Sequence, residues 1–210
     1  MINIISNNCI GGALYRWFFE ESFKNPFIWS LMFANDFIKC VNNYKNINFS
    51  NINMKIMTLN DDLYKLHQKN LDRKIIGFNV DNFFNLWYTH YLYDKNYTSP
   101  TVIGPDTYYY RNFEYVYNKY ISRLKTMESY KGNTIVVCVA YEKQDWNKDK
   151  IIQLNSEYPT FIVTKYKELT QTNKNKYIVY NDLSDYDVWR TFYSNNLSQF
   201  KEFLKANKLL

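Results

Sequence analysis

The chain opens with the stretch that decides its fold, Ile4-Ile5-Ser6-Asn7-Asn8-Cys9-Ile10-Gly11-Gly12-Ala13-Leu14-Tyr15. The isoleucines at its start predict a short strand, whereas Leu14, Tyr15 and the aromatic residues that follow recur at helical spacing. The cysteine and the two glycines lie between these patterns. We therefore expect Cys9 at a strand-to-helix junction.

A cysteine at such a junction is a candidate nucleophile for physical reasons. The first turn of a helix presents free N–H groups and a partial positive charge, and both favour a thiolate over a thiol. The glycine and small polar residues around Cys9 form the predicted oxyanion and substrate site: Ser6, Asn7, Asn8, Gly11 and Gly12. The alternative is that Cys9 is a small buried hydrophobic residue and that the glycines only serve the turn.

Length and composition indicate a globular protein. We expect a single α/β domain over residues 1–210, with a division into two lobes near residue 130 or a place in a longer protein as alternatives. Hydrophobic residues make up 46% of the chain and charged residues 22%, but aromatic residues reach 20%. Because asparagine, lysine and isoleucine are also abundant, this excess indicates an AT-rich genome, viral or low-GC bacterial.

Charge favours a small-molecule partner over nucleic acid. The net charge is +6, yet lysines alternate with acidic residues and form no basic block. A basic pocket for a phosphorylated small molecule fits this pattern at least as well as nucleic acid does.

Cysteine usage and hydropathy indicate the compartment. The three cysteines have no C-x-x-C spacing, so the sequence predicts neither a disulfide framework nor a metal site. No apolar run is long enough to cross a bilayer, and the amino terminus lacks the pattern of a signal peptide. We expect a cytoplasmic protein without membrane insertion, in the host cytoplasm if it is viral.

Strand and helix patterns alternate along the chain. This order predicts an α/β fold of three layers, with a mixed or mostly parallel sheet and helices on both faces. The apolar run at residues 134–140 is typical of a central parallel strand. The longest helix is predicted over residues 108–127, with Asp106 or Thr107 as its cap.

Further candidate site residues lie near the ends of predicted strands. His90, in the strand at residues 83–93, is the candidate general base, although it could equally hydrogen-bond within an aromatic sheet. His67, between lysines on a predicted helix, is interpreted as a surface residue. The candidate carboxylates that would orient the histidine are Asp94, Glu142 and Asp145. The candidate phosphate or carboxylate ligands are Arg111 and Arg123.

The opening resembles a family of uncharacterised proteins, domain of unknown function 1919, commonly labelled exopolysaccharide biosynthesis proteins. Its members begin with I-S-N-N-C-x-G-G and a tyrosine three residues later, matched here by Ile5 to Tyr15. The similarity continues through Asn25-Pro26-Phe27 and Asp36-Phe37-Ile38-Lys39, and His90-Tyr91 matches a later motif. The paired arginines of the family are not kept. The resemblance implies a link to sugar-polymer synthesis and supplies no reaction.

These residues predict an enzyme. Cys9 would be the nucleophile, His90 the base and one of the three acids the orienting group, in the order that papain-type hydrolases and some acyltransferases use. We expect acetyl transfer from acetyl-CoA to an amino sugar or nucleotide-activated sugar. The alternatives are a papain-like hydrolase, and a non-catalytic glycan- or nucleotide-binding or glycosyltransferase-like domain.

Overall fold

A computed structural model describes residues 2–18, 25–59, 73–93, 102–103, 108–172, 175–183 and 188–210. The helices of these residues are α1 (Ile10–Phe18), α2 (Ala34–Asn42), α3 (Phe113–Glu128), α4 (Lys148–Gln153) and α5 (Val188–Ala206). The strands are β1 (Asn3–Ser6), β2 (Ile52–Leu59), β3 (Arg73–Val80), β4 (Phe84–Tyr93), β5 (Val102–Ile103), β6 (Tyr108–Arg111), β7 (Thr134–Val139), β8 (Thr160–Thr164), β9 (Gln171–Thr172) and β10 (Lys176–Tyr180).

The strands form two sheets. The first sheet has the order β1-β7-β8-β10-β9, in which the first four strands are parallel and β9 is antiparallel to β10. The second sheet has the order β2-β3-β4-β6-β5 and is antiparallel except between β4 and β6. The predicted α/β class is confirmed. The second sheet is an addition to this architecture, and its paired strands follow one another closely in the chain.

Strand β7 is buried on both faces because its apolar residues alternate between two cores. Ile135, Val137 and Val139 join the core that α1 and α5 cover, while Val136 and Cys138 join the core shared with the second sheet. The continuous apolar run at residues 134–140 therefore marks an interior parallel strand, as predicted.

Strands β3 and β4 form a hairpin with its turn at Asp81 and Asn82. Both residues have positive φ angles, 54° and 53°, a conformation that aspartate and asparagine tolerate better than most side chains. Val80 then pairs with Phe84, so the turn sets the register of the antiparallel ladder.

The predicted start of the longest helix is wrong. Tyr108–Arg111 forms β6, which pairs with β4, and α3 begins only at Phe113. Asn112 caps this helix, because its Oδ1 accepts a hydrogen bond from the Tyr115 amide at 2.9 Å. Consecutive tyrosines favour the strand, and Arg111 consequently lies on a strand rather than on the helix. The predicted caps Asp106 and Thr107 lie outside the described residues.

Strand β1 lies at the edge of the first sheet, and two side chains bond to its open side. The Tyr15 hydroxyl accepts from the Ile4 amide and donates to the Ile2 carbonyl, both at 2.8 Å. Asn25 Nδ2 donates to the Ile4 carbonyl at 2.9 Å. These bonds fix α1 and the segment after it against β1, and so fix the junction that holds Cys9.

Candidate functional site

Cys9 lies between the end of β1 and the start of α1, as predicted, and its side chain is partly exposed. Hydrogen bonds of neighbouring polar side chains define the turn. Ser6 Oγ donates to the Asn8 carbonyl at 2.9 Å, and Asn8 Oδ1 accepts from the Ile10 amide at 3.0 Å. The predicted substrate-binding groups of Ser6 and Asn8 therefore hold the backbone around the cysteine.

Asn7 ties this turn to the neighbouring strand β7. Its Oδ1 accepts from the Val139 amide at 3.0 Å, and its Nδ2 donates to the Val139 carbonyl at 2.9 Å and to Gln144 Oε1 at 3.0 Å. Asn7 is fully buried. The Asn7 side-chain amide therefore joins the ends of β1 and β7. Both of its polar atoms already have hydrogen-bond partners within the protein.

The two glycines allow α1 to pack closely. A Cβ on Gly11 would lie 2.4 Å from Ser6 Oγ, and one on Gly12 would lie 2.6 Å from the Trp29 indole. The Arg16 guanidinium carbon is 4.9 Å from the centroid of the same indole. Trp29 therefore covers the helix between Gly12 and Arg16, which only a glycine at position 12 permits.

The first-turn amides of α1 differ in what they bond. The Ile10 amide donates to Asn8, and the Gly12 amide donates to the Cys9 carbonyl at 3.0 Å. The Gly11 amide donates to no acceptor within the described part of the chain. Gly11, which is buried, is therefore the first-turn residue of α1 whose N–H bonds to no acceptor among the described residues.

His90 lies in β4, and its side chain is outside the described residues, as is the whole of Asp94. A short segment nevertheless connects β4 with the Cys9 turn. Leu31 exchanges two backbone hydrogen bonds with Trp87 of β4, at 2.7 and 2.9 Å, and the Met32 amide donates to the Asn7 carbonyl at 2.8 Å. Adjacent residues of one segment thus bond to the strand of His90 and to the turn of Cys9.

The two described candidate acids lie on the surface beyond the end of β7. Glu142 Oε1 is 2.5 Å from Lys165 Nζ, and Asp145 forms an ion pair with Lys150. Gln144, between the two acids, is the residue that reaches the Cys9 turn through Asn7, and it is buried. Sequence reasoning missed Gln144; the signal was a polar residue in the turn that follows an apolar parallel strand.

Arg123 is buried and bonds to the main chain. Its Nη1 donates to the Ile28 carbonyl at 2.7 Å, and its guanidinium carbon is 5.7 Å from the centroid of the Tyr88 ring. It therefore stabilises the segment that precedes Leu31. The side chain of Arg111 lies outside the described residues.

The other two cysteines differ from Cys9. Cys40 and Cys138 are fully buried, and burial raises the pKa of both thiols well above the ordinary value. Among the described residues no group of histidine, cysteine, aspartate and glutamate side chains could hold a metal ion. Nor does any described helix have the length and apolar character to cross a membrane.

Comparison with known proteins relates the first part of the chain to a family. A search of the curated proteins finds no significant relative. Residues 1–99 match a family model described as domain of unknown function (DUF1919), a region that holds β1, α1, α2 and most of the second sheet. The resemblance inferred from the opening motif is thereby confirmed: the first 99 residues of this chain are similar to the DUF1919 family.

Proposed function

We propose that the chain is an acyltransferase in which Cys9 is the nucleophile. The observation that carries this proposal is the position of Cys9, partly exposed at the carboxyl end of a parallel strand and before the first turn of α1. Ligands of open α/β sheets bind at this edge, and a helix amino terminus favours a thiolate. Buried Cys40 and Cys138 have neither property.

His90 is the proposed general base. The Leu31–Met32 segment supports this pairing because it bonds both to Trp87, three residues before His90 on β4, and to Asn7, two residues before Cys9. The third group of the site is proposed among Asp94, Glu142 and Asp145. Lys165 and Lys150 already bind the latter two, so an orienting role for either requires its ion pair to open.

The reaction has two steps. His90 takes the Cys9 thiol proton, and the thiolate attacks the carbonyl carbon of acetyl-CoA; the CoA thiolate leaves and is protonated by the histidine. The acceptor amine then attacks the acetyl-cysteine, His90 receives the amine proton, and the Cys9 sulfur leaves and is reprotonated. The Gly11 N–H would donate to the oxyanion in both steps.

The proposed acceptor is an amino sugar, free or carried on a nucleotide. The net charge of +6 suits phosphorylated donor and acceptor molecules, and the family resemblance implies sugar-polymer synthesis. If water replaced the amine in the second step, the same site would be a hydrolase.

Alkylation of the native protein tests the nucleophile. Iodoacetamide is added at neutral pH, and the modified cysteines are identified by peptide mass spectrometry, with glutathione as a reference thiol. We expect Cys9 to react faster than glutathione, while Cys40 and Cys138 react only after unfolding. A rate for Cys9 at or below that of glutathione would contradict the proposal, because exposure alone gives no acceleration.

Turnover tests the reaction. The chain is incubated with acetyl-CoA and glucosamine, and CoA and N-acetylglucosamine are measured by chromatography. We expect both products with the parent protein and neither with Cys9→Ala. Release of CoA without acetylated sugar would favour hydrolysis, and equal activity of Cys9→Ala would exclude Cys9 as the nucleophile.

A further inference from the structure

A cleft opens at the amino-terminal ends of the strands of the first sheet, at the other end of β1 from Cys9. It has a volume of about 480 Å³ and lies at the amino ends of β1, β7 and β8, beside the end of α5. This volume is within the range of small-molecule sites. Strand β1 spans about 10 Å between the cleft and the Cys9 turn. The cleft is therefore a separate site, and the inference does not rest on the proposed function.

The lining of the cleft combines aromatic rings with amide side chains. Its members of these two kinds are Tyr44, Tyr130, Tyr158, Asn3, Asn133 and Asn207. Aromatic rings offer an apolar face, and amides offer both donors and acceptors, which suits a ligand whose hydroxyl groups are both. Lys131 is the single charged residue among those that line the cleft.

Two of the amides are held in place by the protein, Asn207 through its Nδ2 and Asn3 through both of its polar atoms, since Asn3 Oδ1 accepts from Asn25 Nδ2 at 2.7 Å. Asn207 Nδ2 donates to the Phe203 carbonyl at 2.9 Å, so its Oδ1 is left as an acceptor. Asn3 Nδ2 donates to Thr134 Oγ1 at 3.3 Å, so the Thr134 hydroxyl keeps its own hydrogen for a ligand. The cleft thus presents fixed polar groups of both kinds between its aromatic rings.

The Tyr130 ring lies against Gly132, and both residues line the cleft. A Cβ on Gly132 would lie 2.1 Å from the Tyr130 hydroxyl oxygen and 2.4 Å from its Cζ. Any larger residue at position 132 would therefore displace the Tyr130 ring. Since the displaced atoms are the far end of a flexible side chain, the displacement costs little stability while it moves the ring.

We infer that this cleft binds a saccharide, with a sugar ring packed on Tyr130 and its hydroxyl groups hydrogen-bonded by Asn133, Thr134 and Asn207. A nucleotide is the less favoured ligand, because one lysine and no other cation lines the cleft to bind its phosphates.

Saturation-transfer NMR of the full chain tests this inference. Glucose, galactose, mannose and N-acetylglucosamine are added together at millimolar concentration, with uridine monophosphate in a parallel sample. We expect transfer to ring protons of at least one sugar. Gly132→Ala and Tyr130→Ala should each weaken the affinity for that sugar about tenfold, the loss of one good contact.

The controls separate a binding role from a structural one. Tyr180→Ala removes a tyrosine that is 38% exposed on β10 and does not line the cleft, so the sugar signal should persist. Circular dichroism should show Gly132→Ala folded, and its Cys9 should be alkylated at the parent rate. Transfer to no sugar, transfer to the nucleotide alone, or equal sugar binding by folded Gly132→Ala would each overturn the inference.

Discussion

The side-chain amide of Asn7 donates to Gln144 Oε1 at 3.0 Å, and both residues are buried beyond the ends of the adjacent strands β1 and β7. The same asparagine exchanges two hydrogen bonds with the Val139 main chain. The motif assigns Asn7 to substrate binding. In the structure this residue connects β1 with β7, two strands that lie far apart in the chain.

Replacement of Asn7 should destabilise the fold. Asn7→Leu would leave the Val139 amide and carbonyl and the Gln144 oxygen buried without this partner, and we expect the free energy of unfolding to fall by about 3 kcal/mol. Urea denaturation followed by circular dichroism measures the change. Asn155→Leu, at an exposed site, is the control; equal midpoints for the two variants would contradict the role of Asn7.

The contribution of the Tyr15 hydroxyl to the free energy of unfolding should also be measurable. Tyr15→Phe leaves the ring but removes the partner of the Ile4 amide and the Ile2 carbonyl, which should cost about 1–3 kcal/mol of unfolding free energy. Tyr117→Phe, at a tyrosine that is 40% exposed, should change little. Parallel loss in both variants would mean that the hydroxyl of Tyr15 is not specifically required.

Gly11 and Ser6 should be energetically coupled. Gly11→Ala places a methyl group 2.4 Å from Ser6 Oγ, and we expect a loss of about 1–3 kcal/mol from overpacking. The loss should be smaller when Ser6→Ala removes the oxygen beforehand. A double-mutant cycle of unfolding free energies measures the coupling, and strict additivity would show that the contact does not limit position 11.

Two buried tyrosines predict alkaline instability. Burial raises the pKa of Tyr15 and Tyr120 above its usual value, and Tyr120 donates to the Phe49 carbonyl at 2.7 Å. Above about pH 10 the unfolded chain loses these protons and the folded chain keeps them, so stability falls with rising pH. The slope should be about 3 kcal/mol per pH unit for the two groups. Urea titrations at several alkaline pH values measure it; a flat profile would contradict the assignment.

The proposed base predicts a pH profile for turnover. The acyl-transfer rate of the parent should fall as the pH drops through the ordinary histidine range, near 6.5, because a protonated His90 cannot accept the Cys9 proton. His90→Asn should retain only a small rate that does not change over this range. An identical profile for both proteins would remove His90 from the mechanism.

Local sequence signals were sufficient for the elements but not for their contacts. The position of Cys9, the turn at Asp81 and the apolar strand β7 follow from residues that are neighbours in the chain. The helix start near Phe113 was misplaced because a tyrosine run fits either pattern until β4 is known to lie beside it. Long-range pairing decides such cases, and a single sequence does not contain it.

The same limit applies to the site. The opening motif predicted oxyanion or substrate binding for Ser6, Asn7 and Asn8, whereas all three side chains bond within the protein. Later motif residues also act structurally: the Pro26 carbonyl accepts from the Tyr88 hydroxyl, and Asp36 accepts from the Asn85 amide. The bonds of Asn7, Pro26 and Asp36 each join residues that are far apart in the sequence. Only the three-dimensional structure therefore distinguishes polar groups with a structural role from those available for chemistry.

The covered side of β1 has a consequence for how copies of the chain meet. An edge strand ordinarily offers its amides and carbonyls to any strand that approaches, and that is a common route to aggregates. Here the Tyr15 hydroxyl and the Asn25 amide already occupy those groups at Ile2 and Ile4. A strand from another molecule would have to displace both side chains before it could extend the sheet. Tyr15 of the opening motif and Asn25 therefore also protect this border of the fold from polymerisation.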